Sequence, residues 1–137
     1  MTKAYTLVAR LPTVTEFCAL RLGAGLSAKS EAAAAKGLPN SLHAVVVEHE
    51  GKAIGMGRVI GDGGTAFQIT DIAVLPEHQG QGLGKQIVAA LVAWLKAEAP
   101  ATGYVSLIAD GEASRLYAQF GFAPTAPESI GMYLRIT

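Results

Sequence analysis

Glycine stands at 80, 82 and 84, just after the β-branched run Asp71-Ile-Ala-Val-Leu-Pro76 and around the start of an apolar helix at Leu83. Strand, glycine loop and helix N-terminus are the parts of an anion site. Bare backbone N–H groups face the ligand there, and the aligned peptide dipoles add partial positive charge. Without a Cβ at three alternating positions, a phosphate can reach the backbone. The spacing narrows the choice of phosphate ligand. A Walker loop needs Gly, four residues, then Gly-Lys-Ser/Thr. Here Gly84-Lys85 runs into Gln86, and Gln79 holds the first glycine's place. A dinucleotide fingerprint needs G-x-G-x-x-G and an acid about twenty positions on. This run is G-x-G-x-G and has no such acid. Both common readings fail.

The pattern that fits is Gln/Arg-x-x-Gly-x-Gly/Ala, as Gln79-Gly80-Gln81-Gly82-Leu83-Gly84, following the strand end Val74-Leu75-Pro76. A second stretch, Asp110-Gly-Glu-Ala113-Ser-Arg-Leu-Tyr117-Ala-Gln-Phe-Gly121-Phe122, fits Asn-x-x-Ala-x-x-x-Tyr followed by Gly-Phe. In this order and separation the two motifs resemble those of the GCN5-related N-acetyltransferase (GNAT) superfamily, with the likeness best over residues 42 to 122. The resemblance implies acetyl-coenzyme A as co-substrate, and because no His/Cys cluster has metal-ligand spacing no metal is expected. It places the pyrophosphate on Gln79, Gly80, Gln81, Gly82, Leu83, Gly84 and Lys85. The pantetheine arm then pairs with Ile72, Ala73 and Val74 like an added strand, and Asp110, Ser114 and Tyr117 complete the cofactor contacts. Asp110 stands where the family has asparagine. A carboxylate cannot donate to a pantetheine carbonyl, and capping a helix is its other possible role.

Acetyl transfer sets three demands. An alkylammonium, with an ordinary pKa near 10, must lose a proton. The thioester oxygen gains negative charge and needs a donor already in place. The departing thiolate needs a proton. By resemblance the oxyanion donor is the Val74 backbone N–H and the acid is Tyr117, whose hydroxyl is a donor at neutral pH. Otherwise Tyr117 is a packed residue beside Ala113, Leu116 and Phe120. The base is open: related enzymes carry a glutamate at the position of Thr70, and Asp71 lies next to it. Alternation sends Thr70 and Asp71 to opposite faces, so only one can serve. Asp71 can equally be part of a structural network, with water, Glu77 or His78 taking the proton. Arg21 and Arg58 could face an acidic substrate, although lone arginines are more often surface residues. Phe17, Leu20, Arg21 and Leu26 fall in the segment that roofs the acceptor pocket in such folds, which points to a partly apolar pocket.

Thr13-Val-Thr-Glu16 is a capping box that opens a helix to about Leu22. Ser27 is read as the cap of an alanine-rich helix ending at Gly37, before Pro39. His43 to Glu48, Ala53 to Ile60 and Phe67 to Val74 read as a meander, after a short strand at Tyr5 to Ala9. Leu83, Ile87, Leu91 and Leu95 recur at i+4 and mark the core face of the next helix. Tyr104 to Ala109 is then a strand, Glu112 to Phe120 a helix, and Met132 to Ile136 a last strand. The order predicts an α+β fold over 1–137: a mixed, mostly antiparallel sheet with helices on both faces.

Half of the 137 residues are apolar and the formal net charge is zero. That composition buries a core and offers no basic footprint for nucleic acid. The longest apolar run, Ile87 to Leu95, is too short to span a bilayer. No signal-like core appears at the N-terminus, and the lone Cys18 suits a reducing compartment, so the expected location is cytoplasmic. The expected activity is acetyl-CoA-dependent N-acetylation of a small-molecule primary amine, in a homodimer, by direct transfer. A protein lysine or N-terminal acetyltransferase and a non-catalytic acyl-CoA-binding module are the alternatives.

Overall fold

The computed structural model describes residues 4–137. The chain falls into two compact units, a larger one ending at Leu107 and a smaller one, Ile108–Thr137.

The larger unit is built on a five-stranded sheet in chain order: β1 (Thr6–Val8), β2 (His43–His49), β3 (Lys52–Gly61), β4 (Ala66–Val74) and β5 (Tyr104–Ser106). β1 to β4 pair antiparallel, and β5 joins β4 in parallel after a helical crossover. Glu50 and Gly51, both at positive φ, form the tight turn between β2 and β3, as a two-residue hairpin of this twist requires.

Helix α1 (Val14–Gly23) starts with both hydrogen bonds of the expected capping box, Glu16 N–H to Thr13 Oγ1 and Thr13 N–H to Glu16 Oε1. Helix α2 (Glu31–Gly37) is capped by Ser30 and not by Ser27. The Ser27 carbonyl and hydroxyl both accept from Arg21 instead, so that hydroxyl is unavailable as a cap. Phe17 and Leu20 of α1 and Ala34 of α2 pack with Met56 and Ala73 on one face of the sheet.

The other face belongs to α3 (Leu83–Glu98). Leu83, Ile87, Leu91 and Leu95 are all buried, as their spacing predicts. Each such side chain contributes about 1.5–3 kcal/mol by leaving water. Gly57 allows the close approach. A Cβ there would lie 2.6 Å from a methyl group of Ile87 and 2.7 Å from one of Ile72, so even alanine would force these side chains to shift.

The smaller unit holds α4 (Ala113–Ala118). Asp110 does not cap it with its side chain; its backbone carbonyl accepts from Ala113 N–H, and the cap position falls on Glu112. The expected strand at Met132 to Ile136 does not form. Its side chains have strand propensity, but a strand exists only when a neighbour takes its hydrogen bonds, and none does among the described residues. β5 stops at Ser106, short of Ala109, for the same reason: its last pairing with β4 is Gln68–Ser106.

Candidate active site

Two features of the larger unit expose backbone that a ligand can use. The first is the edge of β4. β5 covers only Ala66 to Gln68, so the stretch from Ile69 to Val74 has no strand neighbour on that side among the described residues. Leu75 N–H donates to Ile54 O in β3. Backbone groups alternate along a strand, so Val74 turns its N–H the other way, to the open edge. The Val74 carbonyl accepts from Gln79 Nε2 at 3.0 Å, which ties the loop to the strand end.

The second feature is the start of α3. Gly82 is its cap residue, left-handed at φ 78, with no side-chain cap. Leu83, Gly84 and Lys85 have no preceding turn to bond to, so their N–H groups point out of the helix end. Gly80 is also at φ 78. A Cβ at either position would meet no protein atom within 4 Å. The loop is therefore open above both glycines. The Leu83 side chain is core, leaving only its backbone for a ligand, while Gln81 and Lys85 are exposed. His78, just before the loop, shares a 2.9 Å hydrogen bond with the Tyr5 hydroxyl.

Beside the edge lies a cavity of about 300 Å³, lined by Phe17, Arg21, Lys29, Arg58, Ile60, Thr70 and Asp71 among others. Thr70 and Asp71 line it together, against the expectation that alternation separates them. A β-bulge is the reason. Met56 pairs with Ala73 but Arg58 with Thr70, so two residues, Asp71 and Ile72, face the single Gly57. Asp71 sits at φ 59, a left-handed conformation that Asp tolerates better than most residues. The bulge turns its carboxylate to the face that Thr70 already occupies.

Arg21 and Arg58, which the sequence left either at the surface or facing an acidic substrate, close on that carboxylate. Arg21 Nη1 lies 2.5 Å from Asp71 Oδ1, and Arg58 Nε donates to Oδ2 at 2.7 Å. Arg21 also reaches Ser27, and Arg58 Nη1 donates to the Ser41 hydroxyl. Both guanidinium carbons lie within 6 Å of the Phe17 ring centroid, at 5.9 Å and 5.5 Å. Phe17 and Arg21 thus line the cavity as expected, but Leu20 turns into the core and Leu26 packs beside it. The lining is more cationic than the sequence suggested. The missed signal was a lone acid inside an apolar strand, which requires cationic partners when buried.

In the smaller unit, Tyr117 stacks edge-on with Phe122 at a centroid distance of 6.0 Å. Burial, with the Asp110 charge adding to it, pushes its hydroxyl above the usual tyrosine pKa. Its oxygen has no hydrogen-bond partner among the described residues and is not a sealed orphan either. Asp110 and Ser114 are exposed.

The family model for the acetyltransferase (GNAT) domain matches residues 40–124. The chain belongs to the GNAT acetyltransferase family. This family uses acetyl-CoA as co-substrate, and the sheet with its flanking helices is the GNAT fold. The chain is 49% identical to a probable acetyltransferase of meticillin-resistant Staphylococcus aureus. That crystal structure superposes with a TM-score of 0.93 over 97% of this chain and 100% of that one. The chloroplastic GCN5-related N-acetyltransferase 2 of Arabidopsis thaliana is 42% identical over 63% of this chain. A histone acetyltransferase of Glycine max is 36% identical over 68% of it. The chain spans 33% and 42% of the lengths of these two plant proteins.

Proposed function

We propose that this GNAT chain transfers acetyl from acetyl-CoA to the primary amine of a small molecule, by direct attack in a ternary complex. The observation that carries this reading is two sets of unused donors close in sequence: the Val74 N–H on the open β4 edge and the uncapped start of α3. The edge suits the amides of a pantetheine arm and the helix start suits a pyrophosphate. In the reaction the amine nitrogen bonds to the thioester carbon while the Val74 N–H stabilises the oxyanion. The C–S bond then breaks, and the sulfur takes a proton; the resemblance to the family gives the donor's role to Tyr117. Its raised pKa keeps that proton in place at neutral pH. Both Asp71 oxygens are engaged by arginine, so we assign it to holding Arg21 and Arg58 and give the amine's proton to water.

The cationic lining favours a small acceptor over a lysine-rich protein tail, which Arg21, Lys29 and Arg58 would repel. The test is release of coenzyme A thiol from acetyl-CoA across a panel of small amines, against the amine-free rate. Release at the amine-free rate with every amine, alongside acetylation of protein lysines, would overturn the reading. We place the activity in the cytoplasm, where a reduced Cys18 is the ordinary state.

We also propose a homodimer. Met132, Tyr133, Leu134 and Ile136 are each more than 80% exposed, a run of apolar surface that a second copy would cover. Light scattering at micromolar concentration should give twice the chain mass, and Leu134→Asp should give a monomer. A monomeric wild type would end the idea.

A further inference from the structure

The cavity beside the β4 edge holds more positive charge than its own carboxylate balances. Among the described residues Asp71 is the sole acid in its lining, whereas Arg21, Arg58 and Lys29 supply three cations. Two of these are not surface charges: the side chains of Arg21 and Arg58 are 10% and 13% exposed, and that of Asp71 is 5%. One guanidinium on one carboxylate would be enough to tie α1 to the sheet. Two on one carboxylate leave a full positive charge with little water around it, which is costly unless an anion joins it. Arg58 has the hydrogen-bonding capacity to receive one. Its Nε goes to Asp71 and its Nη1 to Ser41, while Nη2 has no partner among the described residues. Among the described residues no buried side-chain nitrogen is left unpaired, so Nη2 is open to what enters.

We propose that the acceptor amine carries an oxyanion group, carboxylate or phosphate, received by Arg58 and Arg21 with Lys29 at the rim. This rests on the acetyl-transfer reading of the same site. Asp71 is then a positioning residue: at the bulge it fixes both forks, which lie against Phe17, so that their remaining N–H groups face the cavity. A planar fork is suited to the two oxygens of a carboxylate or phosphate. The oxyanion would anchor one end of the acceptor and leave its amine to reach the β4 edge.

The experiment compares matched amines: β-alanine against β-alaninamide, and ethanolamine against its phosphate monoester. The wild type should favour one charged member by at least about tenfold in kcat/KM, and the pair that responds identifies the oxyanion. Arg58→Gln should lower kcat/KM for that member about 10–100-fold, the worth of one or two charge-assisted hydrogen bonds, and shrink its advantage over the neutral partner by a similar factor. Lys29 is exposed and safe for folding, and Lys29→Ala should cost about two- to fivefold. A wild type that takes the neutral amines equally well overturns this inference and leaves acetyl transfer standing. If no amine is acetylated, the transfer reading fails first, and binding decides the rest. With coenzyme A present to fill the glycine loop, glutarate or inorganic phosphate should raise the melting temperature of the wild type and not of Arg58→Gln. Equal shifts in both, or none, overturn the oxyanion site.

Discussion

Gly82→Val should abolish coenzyme A binding while Gly51→Val, an equally strained change, leaves it intact. Both glycines are left-handed, at φ 78 and φ 76, and a Cβ at either meets nothing within 4 Å. A β-branched residue in that conformation costs about 1–3 kcal/mol or more, so both variants should melt lower by similar amounts. They differ in what lies above them. Gly51 is in the β2–β3 turn, whereas Gly82 caps α3, and the space over it is where a pyrophosphate must approach Leu83, Gly84 and Lys85 N–H. Valine there fills that space and tilts the donors. Calorimetry should detect no coenzyme A binding to Gly82→Val at concentrations that saturate Gly51→Val. Binding as tight as wild type by Gly82→Val would show that the loop is only a turn.

The loop was legible because its chemistry is local. Gly80, Gly82 and Gly84 declare an exposed backbone, and Ile87, Leu91 and Leu95 declare the helix behind it, both within one stretch of chain. Thr13 and Glu16 were legible for the same reason. What failed was non-local. Ser27 has the same capping chemistry as Ser30, and only Arg21, six residues back, takes its oxygens away. Thr70 and Asp71 were set on opposite faces because period-two alternation assumes an unbroken ladder. The bulge that overrides it is visible only in the pairing of β3 with β4. Arg21 and Arg58 were read singly, as surface residues or as contacts for an acidic substrate, because they are 37 positions apart in sequence and nothing local shows that they meet on one carboxylate. Met132 to Ile136 had strand propensity without a partner, and propensity alone does not make a ladder.

Tyr117→Phe should lower turnover by about 10²–10⁴-fold, the usual contribution of a positioned general acid. The variant keeps the ring, so the edge-on contact with Phe122 survives. It also breaks no bond among the described residues, because the Tyr117 oxygen makes none there. A melting temperature within a degree or two of wild type is therefore expected, together with near-normal affinity for acetyl-CoA. A packing role would leave turnover intact, since packing is what phenylalanine preserves. That opposition makes the experiment decisive. The hydroxyl's raised pKa sharpens the pH expectation. A donor that titrates above the ordinary tyrosine range stays protonated through neutral and mildly alkaline pH, so the wild-type rate should not fall there through loss of this proton. Any alkaline limb assigned to Tyr117 should lie above the ordinary tyrosine range and vanish in Tyr117→Phe. Turnover equal to wild type in the folded variant would mean that water protonates the thiolate, and Tyr117 would be a core residue.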